Sequence, residues 1–373
     1  MNRTAFRLVF LVPGGLALLA GLDAALLLLG LPAPVTTDRL PEVHGMLMVF
    51  GFVGTVIVLE RAVALRTWWA FASPALLGLG GILMFTTAPL ALAKGALVAG
   101  IALLCLIYLG IWRRQAMPAV ALQVLGAFLA LAATVLWQGG VPVAHLVPLM
   151  TGFLVLTIVG ERVELSRIVV LSDRAIGLVL ASAVALAVTA VGTLLWPAFG
   201  YPLFGASVLA MVAWLLRFDV ATRLVRARGL PRYIAACLLA GYFWLALAGA
   251  TWLMAGPVTS GVGYDATVHA SFLGFTLSMI MAHAPVILPA VLRKPLPYRP
   301  VLYLPVALLH ATLVLRIIVG DGRGLLDLVT WGGALNVAAL LVFVVLAAAS
   351  VVLGTPARAR PGQRTQREKP HVA

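Results

Sequence analysis

Charge and thiols are both scarce in this chain. Of its 373 residues, 10% are Asp, Glu, Lys or Arg, and two are cysteine. So few charges cannot clothe a water-facing surface, which excludes a soluble globular domain. Cys105 and Cys237 fall inside apolar runs, so neither a disulfide framework nor a thiolate centre is expected; both read as small packing residues. Acidic residues are scarcest of all: 12 Asp and Glu stand against 26 Lys and Arg, a formal net charge of +14. Such an excess can signal nucleic acid. Here the basic residues sit in short segments between apolar runs, the orientation signal of cytoplasmic loops, and no nucleic-acid partner is expected. The first apolar run begins after Arg3 and Arg7 like a signal peptide. It is too long for one and lacks a clear small-x-small cleavage site, so it reads as a retained helix.

Hydrocarbon is what the chain has in abundance, at 63% hydrophobic residues. A helix needs about 20 apolar residues to cross a bilayer. Twelve runs qualify: 8–31, 43–65, 68–87, 90–112, 117–137, 144–166, 174–195, 202–218, 231–255, 265–292, 298–319 and 326–353. Their continuity favours helices over a barrel, whose strands would alternate. The predicted fold is an all-α polytopic membrane protein embedded in a lipid bilayer, the bacterial inner membrane, with residues 1–354 as a single transmembrane domain. Alternate connections carry the arginines, which places both termini in the cytoplasm. The basic segment Arg217–Arg232 is expected as an amphipathic helix on the inner surface. Residues 355–373 read as a basic, disordered cytoplasmic tail.

One phrase recurs in the second, sixth and tenth spans. His44 leads to Gly51-Phe52 and then Glu60-Arg61; His145 leads to Gly152-Phe153 and then Glu161-Arg162. His269 leads to Gly274-Phe275 and then His283. Each glycine precedes the inner polar residue by nine positions, and the glycines are 101 and 122 residues apart. That period of four helices implies three pseudo-repeated units, about 1–115, 116–228 and 229–354, with one equivalent helix from each near a common axis.

Ionisable residues are costly inside a bilayer, so matched ones suggest a site. The predicted orientation puts His44, His145 and His269 at outer helix ends and Glu60, Glu161 and His283 toward inner ends. Sixteen residues separate the two layers in the first two copies, about 24 Å of helix, too far for one ligand shell. The outer histidines suit haem iron or copper, or are ordinary interfacial polar residues. Gly51, Gly152 and Gly274 would let a porphyrin face approach, or serve plain helix packing. Glu60, Glu161 and His283 read as a proton route, or as helix-end charges with arginines snorkelling to the surface. Glu164 and Arg167 read as a surface pair. His283 and His310 lie at similar depth, as a second metal or proton-relay pair or as hydrogen-bonded core residues. Arg316 could meet anionic groups such as haem propionates.

Taken together, these motifs resemble subunit I of the heme–copper oxidases and nitric oxide reductases, and more closely the NnrS-like proteins. The similar segments are His44-Gly-Met-Leu-Met-Val-Phe-Gly-Phe, Gly160-Glu-Arg-Val163 and His269-Ala-Ser-Phe-Leu-Gly274. The chain departs from the oxidase pattern: the seventh span has no histidine, and the tenth lacks two histidines two residues apart. The second span also begins with one histidine where the NnrS pattern tends to have two. The resemblance implies haem b with His44 and His269 as axial ligands, His145 as a further haem or copper ligand, and nitric oxide handling or respiratory electron transfer. The rival expectations are an ion or metal transporter using the His and Glu layers, and an assembly factor with a degenerate site.

Overall fold

The computed structural model describes residues 3–165, 171–292 and 296–354; the expected tail lies outside them. Among the described residues there is no strand. Eleven helices among the described residues are long and apolar enough to cross a membrane. They are α1 (Arg3–Leu28), α2 (Arg39–Leu65), α4 (Leu90–Arg114), α5 (Pro118–Gln138), α6 (Val143–Leu165), α7 (Asp173–Leu195), α8 (Pro197–Phe218), α9 (Leu230–Ala255), α10 (Gly261–Pro289), α11 (Pro300–Asp321) and α12 (Leu326–Leu353). A shorter apolar helix, α3 (Trp68–Met84), fills the place of the third expected span. The chain is a multi-pass helical membrane protein whose outer helices meet lipid.

Helix ends follow local chemistry. Arg66 adopts a left-handed conformation (φ 59°) and stops α2, its N–H still bonded to the Ala62 carbonyl. Proline at the first helical position opens α5 and α8, where the missing N–H costs nothing. Glycines at φ 67° and 69° flank α9. The Ser172 hydroxyl accepts the Ala175 N–H at the start of α7.

Burial sorts the helices. In their most apolar windows α2, α6 and α10 have 72, 83 and 67% of residues buried, against 33–56% for the other eight long helices. The three helices that carry the repeated phrase are therefore the centre, and the rest surround them. Helix α12 packs back onto α1, which brings the first and last helices together.

The segment Arg217–Arg232 is not one amphipathic helix. Helix α8 ends at Phe218, Asp219 is extended, and only a single turn, Ala221–Leu224, follows before Gly229 breaks the chain again. Asp219 explains the break. Its buried carboxylate accepts from Arg162 Nε and Nη2 at 2.6 and 2.9 Å, from Tyr242 Oη at 3.0 Å and from the Ala221 N–H at 2.7 Å. Continuing the helix would carry it away from all four donors. This cluster ties α6, α8 and α9 together, and it contradicts the expectation that Arg162 snorkels, since that side chain is 4% exposed. Replacing Asp219 with Ala strips the carboxylate from a buried guanidinium. A loss of about 3–5 kcal/mol is expected, read as a lowered unfolding midpoint of the detergent-solubilised protein.

Candidate functional site

Two cavities lie along the α2–α6–α10 centre. The outer one is bounded by those three helices together with α1, α11 and α12, and His44, His269 and Arg316 all line it. Its void space is about 790 Å³ including the mouth, of which about 80 Å³ can take the centre of a water molecule. The remaining walls are almost wholly apolar, Val49, Met150 and Phe272 among them. The inner cavity is smaller, about 460 Å³ of void and 60 Å³ for water centres, and is lined by Glu60, Glu161 and His283.

The lining keeps the register of the repeated phrase. Val49, Met150 and Phe272 occupy equivalent positions around the outer cavity. Ile57, Ile158 and Ile280 do so around the inner one, as do Val56, Thr157 and Met279, and Glu60, Glu161 and His283. Val53, Leu154 and Thr276 are equivalent as well and belong to the walls of both cavities. On each helix these positions fall three and four residues apart, the spacing of one helical face. Each of the three helices thus presents the same face to the same space.

The outer histidines are held by their Nδ1 atoms. His44 Nδ1 lies 3.0 Å from the Gly21 carbonyl of α1, and His269 Nδ1 lies 2.9 Å from the Asp265 carbonyl, one turn back on its own helix. A carbonyl only accepts, so each Nδ1 carries the hydrogen and each neutral ring keeps its Nε2 lone pair. The Asp265 carboxylate adds a contact of 3.2 Å to His269 Nδ1 and takes a two-pronged pair from Arg316, Nε at 2.8 Å and Nη2 at 2.6 Å. Gly332 and Gly333 on α12 make room for Arg316, since a Cβ there would meet that side chain at 2.7 and 2.8 Å. This is the arrangement of metal-ligating histidines: the far nitrogen tied to a carbonyl or carboxylate, the near one left with its lone pair. The donor set suits haem iron, which takes two such nitrogens across a flat apolar slot.

Backbone geometry marks the same places. Helices α2 and α10 are π-helical over Leu47–Gly54 and Ala270–Leu277, stretches in register with each other, while α6 is α-helical throughout. A third π stretch, Val314–Asp321, carries Arg316. Such bulges leave carbonyls short of partners and recur at functional sites. Thr55 donates to the Gly51 carbonyl at 2.7 Å and Ser278 to the Gly274 carbonyl at 2.6 Å, equivalent bonds in equivalent helices.

The other expected residues separate. His145 is exposed and does not line the outer cavity, because it lies in the first turn of α6. His310 is fully engaged: Nδ1 accepts from Trp244 Nε1 at 2.9 Å, which places its hydrogen on Nε2, 3.4 Å from Ser278 Oγ. It does not line the inner cavity with His283. Gly51, Gly152 and Gly274 line neither cavity; a Cβ on each would meet Ala17 and Gly81, Leu129, or Trp244, so they serve helix packing. Arg61 is 7% exposed rather than snorkelling, and Glu164 faces it at 3.6 Å; Arg167, its expected partner, lies outside the described residues. Among the described residues no group of three or more His, Cys, Asp or Glu side chains is placed to hold a metal ion. Asp265 and Trp244 were not anticipated; a carboxylate four residues before a histidine inside an apolar helix was the available signal for the first.

The chain belongs to a family described as a domain of unknown function (DUF8744), which it matches over residues 7–352. No curated protein and no solved structure matches it.

Replacing Trp244 with Phe keeps an aromatic ring above Gly274 and deletes the N–H. His310 Nδ1 is then left without its donor, and a loss of about 1–3 kcal/mol in unfolding free energy is expected. An unfolding midpoint equal to that of the wild type would show that the bond contributes nothing.

Proposed function

We propose that this protein is an NnrS-like membrane protein of the bacterial inner membrane that binds haem b, whose iron His44 and His269 would hold. Its twelve helices form three four-helix units with both termini cytoplasmic, and its role is respiratory electron transfer or the handling of nitric oxide. One observation carries the reading: two imidazoles from different central helices border one apolar cavity, each with Nδ1 committed and an Nε2 lone pair to spare. The register-matched linings support the three units, and the excess of arginine in alternate connections supports the orientation. Copper, which the sequence also suggested, is the second metal that neutral imidazoles can hold.

Bound between these histidines, a haem would supply a one-electron couple. The residues around it fix ring orientation and exclude water. The Gly21 carbonyl holds His44, and the Asp265–Arg316 pair holds His269. Arg316 is occupied by Asp265 through two of its nitrogens, so its first role is to position Asp265 rather than to bind a propionate. The alternative, an ion or metal transporter along the axis, draws on the same two cavities. It has to open the wall of Val53, Leu154 and Thr276, two side chains of which carry no polar atom.

The test is an optical spectrum of protein purified after haem-replete expression. A Soret band with the sharp bands of a six-coordinate, two-histidine haem is expected, lost or converted to a five-coordinate form in His44→Ala and in His269→Ala. His145→Ala should leave it unchanged. Absence of a Soret band, or indifference to both substitutions, overturns the reading.

A further inference from the structure

The inner cavity has a chemistry that the haem reading does not use and on which it does not depend. Around it, among the described residues, the carboxylates outnumber the cations. Arg61 Nη2 lies 2.7 Å from Glu60 and 3.6 Å from Glu161, and its Nη1 lies 3.6 Å from Glu164, so one guanidinium serves three carboxylates. Arg162, the next residue on α6, is committed to Asp219. With all three carboxylates ionised the layer carries net negative charge in a region where isolated charge is expensive.

His283 supplies the second observation. Its Nδ1 donates back to the Met279 carbonyl of its own helix at 2.8 Å, which turns Nε2 outward. His283 is 6% exposed and lines the cavity, and its Nε2 has no hydrogen-bond partner among the described residues. A buried acceptor without a donor costs about 1–3 kcal/mol. One proton eases both imbalances. Three carboxylates and one guanidinium leave two excess negative charges, of which Glu164 carries one toward water; a proton on Nε2 offsets the other, and a proton on Glu60 or Glu161 removes it and creates the donor that Nε2 lacks.

We infer that the inner cavity is a proton-binding site in which Glu60, Glu161 and His283, one from each central helix, share a bound proton. Access runs from the arginine-rich end. Glu164 is the most exposed of the three carboxylates around Arg61, with 45% of its side chain accessible, and Glu161 lies inward of it at the cavity wall. Toward the outer cavity the path is closed by Val53, Leu154 and Thr276, the last with its hydroxyl donated to the Ser271 carbonyl at 3.0 Å. Glu60, Glu161 and His283 line the site, and the titratable groups that act on it electrostatically among the described residues include Arg61 on α2, Tyr108 on α4, Arg162 and Glu164 on α6, and Asp219 after α8, which Tyr242 on α9 bonds. A divalent ion would ask for several anionic donors at bonding distance around one point, which the described residues do not offer.

Infrared difference spectroscopy of the purified full-length protein during a pH titration, in H2O and in D2O, reads carboxylic C=O and imidazole ring bands separately. In the wild type, one transition is expected in which a carboxyl band and an imidazole band change together. Glu161→Gln and Glu60→Gln remove counter-charge facing His283, so each should lower the proton affinity read at the imidazole, by about tenfold or one pH unit. His283→Asn should delete the imidazole band and move the remaining carboxyl transition. If that variant fails to fold, the two Gln variants and the wild-type spectrum decide the matter. Bands that titrate independently in the wild type, or variants that each delete only their own band, overturn the proposal. So does a transition that depends on replacing sodium by choline, which would mark a cation site instead.

Discussion

A polar side chain within the hydrocarbon of a bilayer finds partners inside the protein or stays unsatisfied. That constraint decides where the few polar residues of this chain can stand. Asp219 collects four donors from three parts of the chain, and Arg316 closes a fork on Asp265. His310 spends one nitrogen on Trp244 and the other on Ser278. These sets are complete, and each holds helices in place. His44, His269 and His283 differ: in each, one ring nitrogen is bound to a carbonyl and the other is left over, and all three border the axial cavities. His310 is satisfied at both nitrogens while these three each keep a nitrogen to spare, and that difference is what the proposed sites draw on.

The architecture was legible because spanning helices announce themselves by length and the repeated phrase by spacing. Eleven of the twelve expected spans are long apolar helices, and the twelfth is the shorter α3. The separation of the phrase into two layers corresponds to two cavities, with Glu60, Glu161 and His283 around one of them. What spacing could not give was direction. Glycines in register looked able to admit a porphyrin, yet their open sides meet Leu129, Trp244 and the Ala17–Gly81 pair, because the helical face that carries them points outward to neighbouring helices. Asp265 and Trp244 were passed over because their partners, Arg316 and His310, are 51 and 66 residues away in the chain. Arg217–Arg232 read as a surface helix on charge alone; the one acidic residue among its arginines, Asp219, is drawn into the interior by Arg162 and breaks it.

His145 shows how a sequence match can fail in space. It stands seven residues before its glycine, as His44 does. Helix α2 begins five residues before His44, whereas α6 begins two residues before His145, after Pro142. His44 is therefore more than a turn inside its helix, and His145 is on the rim. In α10 the histidine stands only five residues before the glycine, and the helix starts eight residues earlier, so His269 is set well within the helix.

The π stretches follow the same division. They occur in α2 and α10, over equivalent residues directly beyond the two inward histidines, and not in α6. A π bulge adds a residue to a turn and so rotates the helix on one side of it relative to the other. At about 100° per residue, sixteen positions would leave His44 and Glu60 about 160° apart on an ideal helix, whereas fourteen leave His269 and His283 within about 40° of one direction. In α2 the bulge turns the outer histidine and the inner Glu60 toward the same axis, while in α10 the spacing alone already does so. Helix α6 needs no such correction, because only its inner residue, Glu161, faces a cavity.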